Sequence, residues 1–193
     1  LKGYGGCTYC NNNTFNPEYC EPNKSIPQQL QEGISFFDKK YKYQKYLAYF
    51  QAYTNTYSDI ESLKKMYKEA LRVPKIVGLV IGTRPDCISD EIIDYLSFLS
   101  KKYFISLEFG VESTSNKTLL NVNRCHTFED TKIAFERCKN KGFYLGAHLI
   151  IGLPGETKKV LLQHAKEISK LPIDTLKLHH LQIVKNSVMA VQY

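Results

Sequence analysis

The sequence predicts an α/β protein built around a parallel sheet. Short, nearly continuous apolar runs recur along the chain, and longer amphipathic segments separate them. Apolar strands that alternate with helices are typical of a parallel sheet whose faces are covered. The 193 residues, 43% of them apolar and 23% charged, suffice for one globular domain with a sizeable core. The pattern leaves open whether the sheet is an open doubly wound one or a closed or partial barrel.

The predicted elements follow one another in a regular order. An aromatic, apolar run at 46–53 is the first predicted strand, and Ser58 is predicted to cap the next helix, with Glu61 three residues on. Ser89 is predicted to cap a second helix, in which apolar residues recur at helical spacing. The remaining predicted elements are strands at 75–82, 104–111, 143–152 and 175–184, helical segments up to 141, and a helix at 156–170.

Polar residues concentrate where the predicted strands end, which is where parallel sheets and barrels place their sites. Because side chains alternate along a strand, Glu108, Gly110 and Glu112 are expected to share one face. A glutamate in so apolar a strand is costly without a partner, so a ligand-facing Glu108 is favoured over a structural salt bridge. The other polar residues and the glycine at these strand ends are Gln51, Thr54, Thr83, Arg84, Asp86, His148, Gly152, Lys177 and His179.

Cys7 and Cys10 lie in a glycine-rich loop and are the one pair among six cysteines whose spacing calls for a shared role. Two thiolates at this spacing can reach one metal centre. Zinc would need a second ligand pair at similar spacing, which the sequence lacks, and a redox dithiol would open a helix. An iron–sulfur cluster would need a third cysteine, either Cys20 or one upstream of this chain. Two unrelated free thiols are the remaining alternative.

A second motif is the run HLIIGLPGET at 148–157, a predicted strand that ends in a tight turn and opens a helix. Its small residues permit close approach by a planar ligand, and free amides at a helix start suit an anionic or polar group. By itself the run is equally compatible with an ordinary strand–turn–helix junction.

Together the motifs resemble the radical S-adenosylmethionine (SAM) enzymes. The resemblance rests on CTYC at 7–10, LEFGVES at 107–113, NRCHT at 123–127 and HLIIGLPGET at 148–157. YFQAYT at 49–54, GTRPD at 82–86, KLH at 177–179 and IVK at 183–185 extend it to the YhcC-like branch. The resemblance implies a partial (βα)6 barrel of the TIM type. Residues 1–193 would then form a truncated radical SAM core domain that lacks the first strand and part of the cluster loop.

The resemblance also implies cofactors and their ligands. A [4Fe–4S] cluster would sit on three cysteines, of which Cys7 and Cys10 are two and the first lies upstream of Leu1. SAM would bind this cluster and be cleaved to a 5′-deoxyadenosyl radical that abstracts hydrogen from the substrate. Cys125 stands where related sequences tend to have glycine, and we expect it to be structural. The implied SAM-binding residues are Gln51 and Thr54 for the methionine amino group, Glu108 for the ribose hydroxyls, Glu112 and Arg124 near the methionine end, Gly152, Leu153 and Ile183 beside adenine, and His148 in the same site.

The polar residues left over are expected to face the substrate: Thr83, Arg84, Asp86, His148, Lys177 and His179. Asp86 would position or protonate the substrate, and Lys177 or His179 would do general acid–base work. The alternative for these residues is a satisfied polar network at the mouth of the barrel. Relatives of this branch include a lyase acting on the 7-deazaguanine base queuine, so the resemblance implies a small-molecule substrate, with cleavage of queuine as the named example. It also implies an external one-electron reductant such as flavodoxin or ferredoxin.

Two other functions stay open: a radical SAM enzyme that modifies tRNA, and a non-catalytic SAM-binding barrel. The net charge of +7, from 26 Lys and Arg against 19 Asp and Glu, is compatible with tRNA. However, the Lys-Lys pairs fall in separate predicted helices and are typical of solvated faces. Apolar stretches are far shorter than the ~20 residues of a membrane helix, so we expect a soluble, cytoplasmic protein.

Overall fold

The computed structural model describes residues 6–11, 14, 16–40 and 43–192. Strands and helices alternate over most of this part of the chain, and none of its helices is long and apolar enough to span a membrane. The strands are β1 (Tyr46–Phe50), β2 (Ile76–Thr83), β3 (Phe104–Glu112), β4 (Tyr144–Ile151) and β5 (Thr175–His180). The helices are α1 (Ile26–Asp38), α2 (Ile60–Leu71), α3 (Asp90–Ser100), α4 (Asn116–Asn121), α5 (Phe128–Cys138), α6 (Lys158–Ile168) and α7 (Val188–Gln192), with a 3₁₀ turn at Pro85–Cys87.

The five strands form one parallel sheet in the order β1-β2-β3-β4-β5. In a flat sheet the edge strands β1 and β5 would lie about 19 Å apart, because neighbouring strands are spaced by ~4.8 Å. Yet the Tyr49 hydroxyl on β1 is 3.2 Å from Lys177 Nζ on β5. The sheet is therefore curled into a half-barrel, which confirms the predicted α/β fold and its partial-barrel form.

The hydrophobic core lies between the convex face of the sheet and the helices. Strand residues on this face, such as Leu79, Leu107 and Ala147, are completely buried, and Phe109 packs edge-on against Phe135 of α5 with ring centroids 5.0 Å apart. The concave face carries polar side chains and glycines instead. Since the strand pleat alternates with period two, the same apolar runs that build the core also aim the polar residues between them into the lumen.

Several predicted boundaries differ from the structure. The helix α2 is capped by Asp59, not Ser58, because the Asp59 carboxylate accepts the Ser62 amide at 2.8 Å. The helix α1, which was not predicted, begins with a capping box at Ser25, a signal the sequence does contain. The predicted strand at 175–184 is too long: β4 ends at Ile151 and Gly152 turns away with φ +96°, so residues beyond 181 have no strand to pair with.

Candidate active site

Glu108 of β3 lies at the centre of the concave face and accepts hydrogen bonds from side chains of three other strands. Its Oε2 accepts hydrogen bonds from the Tyr49 hydroxyl of β1 at 2.9 Å, from His148 Nε2 of β4 at 2.9 Å and from Lys177 Nζ of β5 at 2.8 Å. Burial would raise the pKa of Glu108, but the hydrogen bonds from His148, Lys177 and Tyr49 outweigh it and lower that pKa to about 2. Glu108 is therefore a fixed carboxylate at neutral pH.

The register of the sheet makes room for this arrangement. Glu108 lies opposite Gly146 of β4, and His148 lies opposite Lys177 of β5. A Cβ atom at Gly146 would come within 2.9 Å of both Glu108 Cγ and Thr175 Oγ1. Glycine is thus required at this position by close packing beneath the carboxylate, and not by its backbone angles.

Lys177 and His179 lie on the same face of β5 and line the lumen beside Glu108. Lys177 Nζ also donates to the Tyr49 hydroxyl at 3.2 Å and lies 4.5 Å from the centroid of the Tyr49 ring. The His179 ring stands 5.2 Å from the ring of His148, and burial together with His148 and Lys177 lowers the pKa of His179. Tyr49 was not predicted as a site residue, although the alternation of β1 places it on the concave face.

The cysteine loop lies at the mouth of the barrel, tied to two other segments. Within the loop, the Cys10 amide donates to the Cys7 carbonyl at 3.0 Å. Three further hydrogen bonds fasten it: Thr8 N to Val122 O at 3.0 Å, Met189 N to Thr8 O at 2.8 Å, and Asn123 Nδ2 to Gly6 O at 2.7 Å. The hydrogen bond from Cys10 and the nearby guanidinium of Arg124 lower the pKa of Cys7 to about 5, whereas the same pairing raises the pKa of Cys10. The pair thus favours a thiolate at Cys7.

Arg124 and Glu112 lie next to this loop. Arg124 is buried, donates to the Gly110 carbonyl at 2.6 Å and to Cys7 Sγ at 3.5 Å, and has Glu112 Oε1 3.5 Å away. The β3–β4 register shifts between Gly110 and Glu112, and Glu112 has a left-handed φ of +65°. This irregular backbone, rather than simple strand alternation, brings the Glu112 carboxylate over Gly110. Burial raises the pKa of Glu112.

Asp86 does not stand alone at the end of β2. Arg84 donates to both of its carboxylate oxygens, from Nε at 2.9 Å and from Nη2 at 2.7 Å. Burial would raise the pKa of Asp86, but Arg84 lowers it overall. Asp86 is thus ionised, so it is better suited to position Arg84 than to donate a proton.

The remaining predicted SAM-binding residues frame the same mouth. Gln51 and Thr54 follow directly after β1, with Gln51 exposed and Thr54 partly buried. Gly152 and Leu153 form the turn after β4, where Leu153 is buried against Val122 and Met189. Ile183 lies beyond the end of β5 and is 45% exposed, so the structure puts it outside the strand in which it was predicted.

One buried polar cluster was missed altogether. Glu156 Oε1 accepts from Ser113 Oγ at 2.6 Å and lies 2.9 Å from His164 Nε2, while His164 Nδ1 lies 2.7 Å from Thr114 Oγ1. The side chains of Glu156 and His164 are only 1% and 2% exposed. The cluster connects the turn after β4 to the end of β3 and to α6, and no local sequence pattern pairs residues so far apart.

Comparison with known families agrees with this geometry. The family model described as the radical SAM superfamily matches residues 4–168. This chain belongs to the radical SAM superfamily. It is 39% identical over 189 residues to Protein YhcC of Escherichia coli, a match covering 97% of this chain and 60% of YhcC. It is also 27% identical over 178 residues to the tRNA-2-methylthio-N(6)-dimethylallyladenosine synthase of Thermotoga petrophila, covering 89% of this chain and 39% of that protein. The chain spans about 60% of the length of the YhcC-like relatives.

Solved structures share the fold. Elp3 of Methanocaldococcus infernus matches with a TM-score of 0.72 and 22% identity over 88% of this chain and 45% of that chain. HemN of Escherichia coli, a coproporphyrinogen III oxidase and radical SAM enzyme, matches with a TM-score of 0.68 and 20% identity over 98% of this chain and 44% of that chain. At these identities the likeness is one of fold.

Members of the superfamily use a [4Fe–4S] cluster and SAM. The residues present fit part of such a site, since Cys7 and Cys10 share one loop and one of them favours the thiolate form that a cluster ligand requires. Within the described residues, no group of three or more potential ligands comes together.

Proposed function

We propose that this chain is the core of a radical SAM enzyme acting on a small molecule. The observation that carries the proposal is the state of Glu108. All three of its hydrogen-bond donors converge on Oε2, and Oε1 has no partner among the described residues. A carboxylate fixed in this way at the centre of the lumen offers an acceptor oxygen to a ligand, and the hydroxyls of the SAM ribose suit it.

The other cofactor contacts are proposed from their positions at the mouth. Gln51 and Thr54 bind the methionine amino group, and Arg124 with Glu112 lies at the methionine end. Gly152 and Leu153, with Ile183 and His148, surround the adenosine. The positive φ of Gly152 supports this assignment, because a turn without a side chain lets a flat ring approach the backbone.

Cys7 and Cys10 hold the cluster together with a third cysteine outside this chain. A cluster held by these thiolates would supply the electron for reductive cleavage of SAM to methionine and a 5′-deoxyadenosyl radical, the species that would abstract hydrogen from the substrate. The electron comes from an external one-electron donor of the flavodoxin or ferredoxin type. Thiols that stay reduced and a soluble donor fit a cytoplasmic location.

The substrate occupies the lumen beside Lys177 and His179. Both groups border the Glu108 network, and the lowered pKa of His179 leaves it neutral and able to accept a proton near neutral pH. Asp86 acts by orienting Arg84. A planar, polar heterocycle such as queuine fits these donors and acceptors, and a lyase reaction on it is the specific activity we propose.

The test uses the full-length protein reconstituted anaerobically with iron and sulfide. The wild type is expected to be brown and to release 5′-deoxyadenosine from SAM after reduction, whereas a colourless protein would overturn the proposal. Glu108→Ala should weaken SAM binding in calorimetry while the circular dichroism spectrum stays unchanged. Unchanged SAM affinity would refute the assignment of Glu108 to the ribose.

A tRNA substrate is the second candidate, favoured by the similarity to the Thermotoga tRNA-modifying synthase and by the net charge of +7. Binding of tRNA through phosphate contacts would weaken steeply as salt concentration rises. A filter-binding series across salt concentrations therefore separates the two: a steep slope favours tRNA, and absence of binding at low salt favours the small molecule.

A further inference from the structure

Arg124 is a buried arginine whose side chain is only 10% exposed, so its donors depend on protein partners. Nε donates to His126 Nε2 at 3.0 Å, Nη1 to Cys7 Sγ at 3.5 Å and Nη2 to the Gly110 carbonyl at 2.6 Å. Glu112 Oε1 is 3.5 Å from Nη2, which is longer than the roughly 2.8 Å of a strong arginine–carboxylate hydrogen bond. The guanidinium therefore makes no strong hydrogen bond to the Glu112 carboxylate, and its Nη1 faces the sulfur of Cys7.

His126 fixes the plane of the guanidinium. An arginine always donates, so His126 Nε2 must be the acceptor and its proton must sit on Nδ1. Nδ1 lies 3.1 Å from the Thr127 carbonyl, which accepts that proton. Burial and the nearby Arg124 lower the pKa of His126, which agrees with a neutral ring. His126 thus holds the Nε side of Arg124 in place by accepting its hydrogen bond.

Gly110 completes the arrangement from the other side. Its carbonyl receives the shortest hydrogen bond of Arg124, and a Cβ atom at this position would lie 2.5 Å from Arg124 Nη2. The backbone of β3 and the His126 ring together leave Nη1 directed at the sulfur of Cys7. The orientation is imposed by groups whose hydrogen bonds, within the described residues, go to Arg124, to Thr127 and to each other.

We propose that Arg124, held by His126 and Gly110, is a positioning residue that donates a hydrogen bond to the cluster ligand Cys7 and thereby raises the reduction potential of the cluster. This inference rests on the proposed function. Hydrogen bonds to the sulfurs and positive charge nearby stabilise the form of an iron–sulfur cluster that carries one more electron. The step concerned is transfer of one electron from the external donor to the cluster, and Arg124 changes its driving force without making or breaking a covalent bond.

The experiment is a redox titration of the reconstituted full-length protein followed by electron paramagnetic resonance, with no SAM present. Omitting SAM separates this role from any contact between Arg124 and the methionine end of the cofactor. Arg124→Met should lower the midpoint potential, and Arg124→Lys, which keeps the charge but not the planar fork, should lower it less. His126→Phe should also lower it, whereas His126→Gln, which retains an acceptor, should restore it towards the wild-type value.

Arg84→Met is the matched control, because Arg84 is similarly buried at the same end of the barrel but donates to Asp86 and to a backbone carbonyl. An Arg124→Met protein with full iron content and the wild-type potential would overturn the inference, as would an equal shift in Arg84→Met. If Arg124→Met fails to fold, the Arg124→Lys and His126 variants decide the matter in the same way. A wild type that takes up no cluster would instead refute the proposed function.

Discussion

Replacing Glu108 by glutamine removes the negative charge that accepts hydrogen bonds from Tyr49 of β1, His148 of β4 and Lys177 of β5. The depression of its pKa from 4.5 to about 2 corresponds to roughly 3 kcal/mol, at 1.36 kcal/mol per pKa unit. Lys177 is 41% exposed, so solvent screens part of this interaction. We therefore expect Glu108→Gln to lower the free energy of unfolding by about 2 kcal/mol at neutral pH.

The pH dependence makes this prediction more specific. Because the folded-state pKa of Glu108 lies below its ordinary value of 4.5, its stabilisation is complete above that value and is lost as pH falls towards about 2. Urea unfolding followed by circular dichroism, at several values between about pH 7 and pH 3, should show the wild-type and Glu108→Gln curves converging as the pH falls.

Glu61→Gln is the control, because Glu61 is 76% exposed and pairs with Lys64 on the surface of α2. It should change stability by less than about 0.5 kcal/mol at any of these pH values. If Glu108→Gln matches this control in both stability and pH slope, the Glu108 carboxylate does not contribute the stabilisation assigned to it.

Three further predictions concern other positions. Cys125 has a left-handed φ of +60°, so Cys125→Gly should raise the free energy of unfolding by about 0.5–1 kcal/mol and raise the melting temperature with it; a lower melting temperature would contradict this account. His164→Ala leaves the Glu156 carboxylate buried without its imidazole and should cost about 3 kcal/mol in urea unfolding, while a loss below about 1 kcal/mol would show that the pair contributes little. Gly146→Ala should displace Glu108 and weaken SAM binding roughly tenfold by calorimetry, and unchanged affinity would count against that geometry.

Local periodicity accounts for what could be predicted of the fold. The apolar runs identified the five strands of the described sheet. In β2, β3 and β4 the runs are apolar because helices cover the convex face, whereas Leu176 and Leu178 on that face of β5 are exposed. The ends of the elements were less certain. The strand β5 ends early because β4 ends at Ile151, where Gly152 turns the chain away. The end of β5 is therefore set by pairing between strands and not by the composition of 175–184.

The sequence predicted which residues belong to the candidate site, but not which of their side chains contact one another. Glu108, Lys177 and Cys7 could be chosen from strand parity, strand ends and spacing. Their partners could not: Tyr49 lies 128 positions from Lys177, and Arg124 lies 117 positions from Cys7. The structure also buries Arg124, which its short sequence motif does not predict.

Sequence patterns alone establish the α/β class, the strand that carries Glu108 and the loop that carries the two cysteines. Each follows from a pattern within a few residues, such as alternation, helical spacing or a short motif. Which side chains contact one another follows from the three-dimensional arrangement of the strands. The curl of the sheet brings Tyr49 and Lys177 from opposite edges onto one carboxylate oxygen, and close packing at Gly110 and Gly146 sets the space available. Curl and packing depend on all strands at once, because each strand's position is fixed by its neighbours' register and by the helices behind them.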